Sequence, residues 1–176
     1  MAALKTVAVA LTLAAVVLVG LPWLIARWTR EVGWLQMPIG GMRWLGVAAV
    51  GFGIYLYVWS LIRLLRRGTS ALPGEPPTAL ETSGWYGRVR HPLLLGVVAI
   101  LLGEAIAAAS LAVLAFALAY WSFLHVFVTL KEEPDLKRAF GDRYLAYAAA
   151  VPRWIPRPRR LRRDGPASSS GPPPVP

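Results

Sequence analysis

Long stretches without charge are the feature that most restricts how this chain can fold. Thr6 to Ala26 and Trp44 to Ile62 contain no charged residue, and Pro92 to Leu130 contains only Glu104. A helix of about 20 apolar residues crosses a bilayer, so the first two stretches predict one span each and the third, about twice as long, predicts two. We therefore expect an all-α polytopic membrane bundle of about four transmembrane helices.

Composition and flanking residues support a lipid environment. Hydrophobic residues make up 56% of the chain and charged residues 16%, which is unusual for a soluble domain. Tryptophans, which favour the headgroup region, lie at the borders of the first two stretches. Lys5 in front of the first apolar stretch makes this stretch resemble a signal peptide, but the stretch is longer than the apolar region of a signal peptide. We expect it to remain as a span.

The distribution of charge predicts the orientation. The net charge is +10, and most of the excess follows the second stretch, precedes the third or lies in the last third of the chain. The turn between the third and fourth spans contains no Lys or Arg. Positive residues favour the cytoplasmic side, so we expect an integral protein of a prokaryotic-type cytoplasmic membrane with both termini cytoplasmic.

Several functional classes are disfavoured. The chain has no cysteine and two histidines, which argues against thiolate chemistry and against a metal site. No recognised nucleic-acid motif accompanies the basic charge, so we expect membrane lipid and not nucleic acid as a partner.

The chain divides into four predicted parts. Residues 1–67 hold two spans, and 68–90 form a cytosolic loop rich in Pro and Gly. Residues 91–164 hold a helical hairpin followed by a polar and basic cytosolic stretch of short helices. Residues 165–176 form a disordered tail of Pro, Ser and Gly.

Two polar residues of the hairpin, Glu104 and His125, each have two possible roles. Its turn is expected at 103–110, with small alanines allowing the two helices to approach closely. Glu104 lies either in that turn or inside the bundle as a functional carboxylate. His125 lies mid-span and either makes an interhelical hydrogen bond or acts in catalysis.

A basic group precedes the third span. Arg88, Arg90 and His91 lead directly into Pro92, a residue suited to a helix start. Free N–H groups at such a start attract anions, and the basic side chains would reinforce that attraction. The arginines would also serve simply as anchors at the headgroups, and both interpretations stay open.

Two acidic residues follow the fourth span. Because the hairpin returns to the surface where it began, Glu132 and Glu133 should meet Arg90 and His91 there. A carboxylate pair can hold a ribose diol or an amino group, or balance an arginine. Alternatively, one glutamate only favours the start of the next helix.

Aromatic and basic residues fill the segment that follows. Pro134 is suited to open a helix, Gly141 to end it and Asp142 to cap the next. Aromatic rings at 144 and 147 can stabilise a sulfonium, and Arg153 can orient an anionic substrate. The segment would also fit an amphipathic stretch that rests on lipid.

Two of these patterns resemble one family. Residues 90–96 read Arg-His-Pro-Leu-Leu-Leu-Gly, similar to the Arg-His-Pro-x-Tyr-x-Gly signature of the isoprenylcysteine carboxyl methyltransferase and phospholipid methyltransferase superfamily. Residues 132–152 read Glu-Glu-x-x-Leu-x-x-x-Phe-Gly-x-x-Tyr-x-x-Tyr-x-x-x-Val-Pro, similar to its C-terminal signature. The resemblance covers 84–158 and departs at Leu94, where the signature has tyrosine.

The resemblance implies a cofactor and its site. In such proteins S-adenosylmethionine binds at the cytosolic end of the last two spans, beneath the C-terminal segment. The implied cofactor-binding residues are Tyr86, Arg90, His91, Leu95, Gly96, Glu132, Glu133, Tyr144 and Tyr147. Arg153, on the substrate side, and Glu133 are the implied catalytic residues.

The resulting hypothesis is a membrane methyltransferase that acts on a lipophilic acceptor such as an isoprenylcysteine-type carboxylate. Amine, hydroxyl and thiol acceptors stay open. Two other hypotheses remain: a nicotinamide-dependent reductase similar to membrane sterol reductases, and a non-enzymatic membrane scaffold.

Overall fold

A computed structural model of the chain describes residues 15–66 and 79–156, together with Ala8 and Thr12. The predicted C-terminal tail, the arginine-rich residues 157–163 and residues 68–78 of the predicted loop lie outside these residues. Residues 6–14 of the first predicted span, apart from Ala8 and Thr12, also lie outside them. Across the described ranges the regular elements are all helices, which confirms the predicted all-α class.

Four helices form the bundle. Helix α1 is Leu21–Thr29, preceded by the π-helical turn Val16–Gly20. Helix α2 is Arg43–Arg66, α3 is Pro92–Ala108 and α4 is Leu111–Phe127.

Shorter elements complete the described chain. A π-helical stretch, Val128–Glu132, joins α4 to α5, which is Glu133–Phe140, and α6 is Asp142–Ala150. Short 3₁₀ helices form at Gly33–Leu35, Gly40–Met42 and Gly84–Gly87.

Among the residues that the structure describes, two helices are long and apolar enough to cross a membrane. They are Gly40–Arg66 and Leu111–Phe140, the second combining α4, the π-helical stretch and α5. The apolar helices Val16–Thr29 and Pro92–Ala108 are shorter as described. The count of four spans therefore stays a prediction.

The hairpin turn lies within the predicted interval. Helix α3 ends at Ala108 and is capped by Ala109, whose φ of 53° is left-handed. The Ser110 hydroxyl then accepts a hydrogen bond from the Val113 N–H at 3.4 Å. The two helices are therefore joined without a longer loop. Glu104 lies in the last turns of α3, half-buried, and not in the connection itself.

Helices α2 and α3 approach each other closely, at an interface that the sequence analysis did not single out. Glycines on α2 and α3 face each other in two pairs, Gly46 with Gly103 and Gly53 with Gly96. A methyl group built on Gly53 would lie 2.7 Å from the Gly96 carbonyl oxygen. Backbone therefore meets backbone between α2 and α3, because glycine has no side chain to separate them.

One predicted helix start needs correction, and another is continuous with the helix before it. Pro134 is the second residue of α5, close to the predicted helix start, and α4 continues into α5 through the π-helical stretch. Proline lacks an N–H and crowds the preceding turn, and a widened turn accommodates both effects. Asp142 is not a cap: Gly141, with a φ of 53°, takes that position between α5 and α6.

Candidate functional site

The centre of the site is one carboxylate held by two guanidinium groups. Arg90 Nη1 donates to Glu133 Oε1 at 2.8 Å. Arg153 donates from Nε to Oε1 and from Nη2 to Oε2, both at 2.7 Å. The Glu133 side chain is 13% exposed, so these charge-assisted bonds form largely out of solvent.

His91 joins the acidic pair. Its Nδ1 lies 3.2 Å from Glu132 Oε1, and its Nε2 lies 3.6 Å from Glu133 Oε1. Burial by itself lowers the pKa of His91, but the hydrogen bond to Glu132 and the nearby charge of Glu133 outweigh it and raise that pKa above 6.5. Protonated His91 would then be stabilised between two carboxylates.

Tyrosine side chains surround this ionic group. The Tyr147 hydroxyl donates to the Tyr86 carbonyl oxygen at 2.7 Å, and the Tyr144 and Tyr147 rings lie 6.3 Å apart. Burial, followed by the charge of Glu132, raises the pKa of Tyr86, and burial raises the pKa of Tyr147 as well. These phenols therefore stay neutral at physiological pH.

The chain closes over the site through a short segment, residues 151–156, which we term the C-terminal strap. Its Pro152 carbonyl accepts a hydrogen bond from the Arg90 N–H at 2.9 Å. Val151 is buried, while Arg153 reaches Glu133. The strap thus lies directly against the segment that begins α3.

Sequence comparison identifies the family. Residues 42–143 match the model of the phospholipid methyltransferase family, which is more than half of the chain. The chain belongs to the phospholipid methyltransferase family. No curated protein matches the chain significantly. Family membership makes it a membrane methyltransferase and confirms the resemblance noted in the two signatures.

The family match covers most but not all of the candidate site. Residues at the start of α3 and the two glutamates lie inside it. Tyr144, Tyr147 and Arg153 lie beyond its last residue, yet the structure brings them to the same cluster. The family match therefore does not include these three residues, and their place in the cluster comes from the structure.

Two predicted residues lie outside the ionic cluster. Gly96 is buried against α2, where an added methyl group would lie 2.8 Å from the Gly53 carbonyl oxygen. Leu95 is half-buried in the first turns of α3. Leu94, where the family signature has tyrosine, packs against the hydrophobic core. A cofactor role for Leu95 and Gly96 stays a prediction.

One polar group near the site was not found from the sequence. Glu81 is 6% exposed and accepts hydrogen bonds from the N–H and the hydroxyl of Ser83. Arg63, at the end of α2, donates to the Ser83 hydroxyl at 2.6 Å. Nothing in a Pro- and Gly-rich loop distinguishes a buried glutamate, because only folding determines which loop residue is enclosed.

The hydrogen bond that His125 makes in the structure bears on its two predicted roles, an interhelical hydrogen bond or catalysis. Its Nδ1 accepts a hydrogen bond from Trp154 Nε1 at 3.0 Å. The partner is thus the C-terminal strap and not another helix of the bundle. No periodicity could have paired residues that far apart in the chain.

Proposed function

We propose that this chain is an integral membrane methyltransferase that transfers a methyl group from S-adenosylmethionine to a lipophilic acceptor, such as an isoprenylcysteine-type carboxylate. The observation that carries this proposal is the convergence of Arg90, His91, Glu132, Glu133 and Arg153 at one end of the bundle. Methyl transfer is the chemistry of the family, and this cluster offers both an acidic and a basic side.

The residues present fit that cofactor. Glu132 is the more open carboxylate, with its side chain 38% exposed against 13% for Glu133. It is therefore the better placed to accept hydrogen bonds from an amino group or a ribose diol. The rings of Tyr144 and Tyr147 supply faces that attract a sulfonium cation.

Arg153 is the residue we assign to the acceptor. It uses Nε and Nη2 on Glu133, and its Nη1 makes no hydrogen bond within the described ranges. The Arg153 side chain is 32% exposed, so this amino group is open to an incoming carboxylate. Glu133 thereby fixes the orientation of the guanidinium that would aim the acceptor.

The methyl-transfer step would depend mainly on orientation. When bound, S-adenosylmethionine supplies an electrophilic methyl group on its sulfonium. A lone pair of the acceptor would form the new bond to the methyl carbon as the bond from that carbon to sulfur breaks. Arg153 and the strap would hold the acceptor in line, which contributes an entropic advantage to the rate.

The environment of Glu133 favours an acceptor that needs no base. Two guanidinium groups stabilise its charged form, which makes this carboxylate a weak proton acceptor. A carboxylate acceptor is already ionised at physiological pH. An amine or thiol acceptor would instead depend on Glu132 or His91 for deprotonation.

Isothermal titration tests the cofactor. The purified protein in detergent should bind S-adenosylmethionine and not NADPH, and Glu132→Ala should weaken binding. Binding of NADPH alone would favour the reductase hypothesis. Binding of neither cofactor would contradict the methyltransferase proposal and favour a scaffold.

A radiolabelled methyl-transfer assay tests the acceptor. We expect label from S-adenosylmethionine to appear in prenylcysteine analogues as a base-labile ester. Label in the amine headgroups of total membrane lipids, with none in the analogues, would contradict the carboxylate assignment while leaving methyl transfer intact.

A further inference from the structure

A tryptophan on the C-terminal strap makes a second, separate contact with the bundle. Trp154 Nε1 donates to His125 Nδ1 on α4 at 3.0 Å. The Trp154 ring also meets Trp121 edge-on, with centroids 6.4 Å apart, and lies 6.1 Å from the His91 ring. One strap side chain therefore touches both α4 and the start of α3.

Adjacent strap residues thus bind different elements. Arg153 pairs with Glu133 at the start of α5, while Trp154 pairs with His125 two turns earlier on α4. Arg153 is 32% exposed, so solvent screens the ion pair from the arginine side, although Glu133 itself is largely buried. The aromatic contacts of Trp154 add apolar packing that such screening does not weaken.

The hydrogen bond also defines the state of His125. An indole N–H only donates, so Nδ1 of His125 has to be the acceptor and carry no proton. His125 lies on an exposed face of α4, where Trp154 is the polar partner that the structure gives it. The contact is therefore specific in chemistry as well as in position.

We propose that Trp154 and His125 form a latch that holds the C-terminal strap on α4 and thereby positions Arg153 for the acceptor. Both are positioning residues, since neither touches the reacting atoms. The consequence for the acceptor rests on the proposed function. The latch itself does not, because it concerns only how firmly the strap is held.

Hydrogen exchange of the Arg90 amide tests the latch without any ligand. That N–H donates to the Pro152 carbonyl, so its exchange requires the strap to lift. Trp154→Phe keeps an aromatic ring but removes the N–H donor together with part of the indole, and His125→Leu removes the acceptor. Each should speed exchange roughly fivefold, the effect of losing one hydrogen bond. The double variant should exchange no faster than either single variant.

Two further variants control the measurement. His125→Asn keeps an acceptor, since Oδ1 is separated from the backbone by as many bonds as Nδ1, and should restore slow exchange. Trp44→Phe alters a tryptophan that is 76% exposed and far along the chain from the strap, and should leave exchange unchanged. Unchanged exchange in both Trp154→Phe and His125→Leu would overturn the latch, as would fast exchange in His125→Asn.

Kinetics connect the latch to Arg153. Trp154→Phe and His125→Leu should raise the KM for the acceptor while leaving the KM for S-adenosylmethionine unchanged. Equal changes in both constants would contradict positioning of Arg153. If the wild-type protein bound no S-adenosylmethionine but the exchange results held, the proposed function would fail and the latch would stand.

Discussion

Glu133 accepts hydrogen bonds from two guanidinium groups, so its negative charge contributes more to the stability of the fold than the size of its side chain does. Glu133→Gln keeps the shape and leaves Arg90 and Arg153 without a counter-charge. We expect a loss of about 2 kcal/mol in the free energy of unfolding, since removing one partner of a largely buried pair leaves the others uncompensated. Thermal unfolding in detergent measures this loss.

Asp135→Asn is the matched control for that change. Asp135 also contacts two cations, Lys131 and Arg138, but those side chains are 54% and 77% exposed. Exposed pairs stabilise little, so the control should lose less than about 1 kcal/mol. Equal losses of unfolding free energy in Glu133→Gln and Asp135→Asn would show that burial does not make the ion pairs of Glu133 more stabilising than the exposed pairs of Asp135.

His91 predicts a pH dependence of stability. Burial lowers its pKa, but the hydrogen bond to Glu132 and the nearby charge of Glu133 outweigh burial and raise that pKa above 6.5 in the folded protein. A raised folded pKa stabilises the fold fully below the unfolded pKa, and the contribution is lost as the pH rises through the folded value. His91→Gln should therefore destabilise the protein more at about pH 6 than at about pH 9.

The difference between variant and wild type isolates this effect. Other groups titrate in both proteins, so their contributions cancel when unfolding temperatures are subtracted at each pH. If the difference in unfolding temperature between His91→Gln and wild type stays constant from acid to alkaline pH, the charge of His91 does not stabilise the fold.

Helices α2 and α3 approach through glycine, which makes their packing sensitive to one methyl group. A methyl group on Gly53 would meet the Gly96 carbonyl oxygen and the Ile100 N–H nitrogen at 2.7 and 2.8 Å. Gly53→Ala should force the helices apart and cost about 2 kcal/mol. Since α3 begins at Pro92, directly after His91, the same shift would displace the ionic cluster.

Gly51→Ala provides the control in the same helix. An added methyl group there meets nothing within 4 Å, and alanine favours a helix by about 1 kcal/mol over glycine. Its unfolding temperature should be unchanged or higher. If Gly53→Ala behaved like Gly51→Ala, close packing between α2 and α3 would be disproved.

The distribution of positive charge predicts that the hairpin turn and the C-terminal region lie on opposite sides of the membrane. The chain contains no cysteine, so single cysteines report position without background. Ala108→Cys, exposed beside the turn, should react with an impermeant maleimide added to intact cells. Ala149→Cys, exposed on α6, should react only after permeabilisation, because basic residues favour the cytoplasm.

Either reversed labelling or equal labelling would contradict this orientation. Reversed labelling would place the candidate site on the outer face, away from a cytosolic cofactor. Equal labelling of intact cells at both positions would mean that α3 and α4 do not form a hairpin across the bilayer.

Much of the site was predictable because its parts are local patterns. The run from Arg90 to Pro92 marks a helix start, and Glu132 with Glu133 follows an apolar stretch that returns to the same end. The continuous helix through Pro134 was not predictable, since proline ordinarily suggests a break. Whether a widened turn absorbs it depends on packing around that turn.

The sequence by itself determined an all-helical chain with apolar spans, and it determined which charged residues would gather at one end. Those properties follow from composition and periodicity, which any helix of that sequence carries. Only the tertiary structure decided that α2 and α3 meet through Gly53 and Gly96, and that Trp154 contacts His125. Such contacts join residues distant in the chain, and their partners are determined by the relative placement of whole helices.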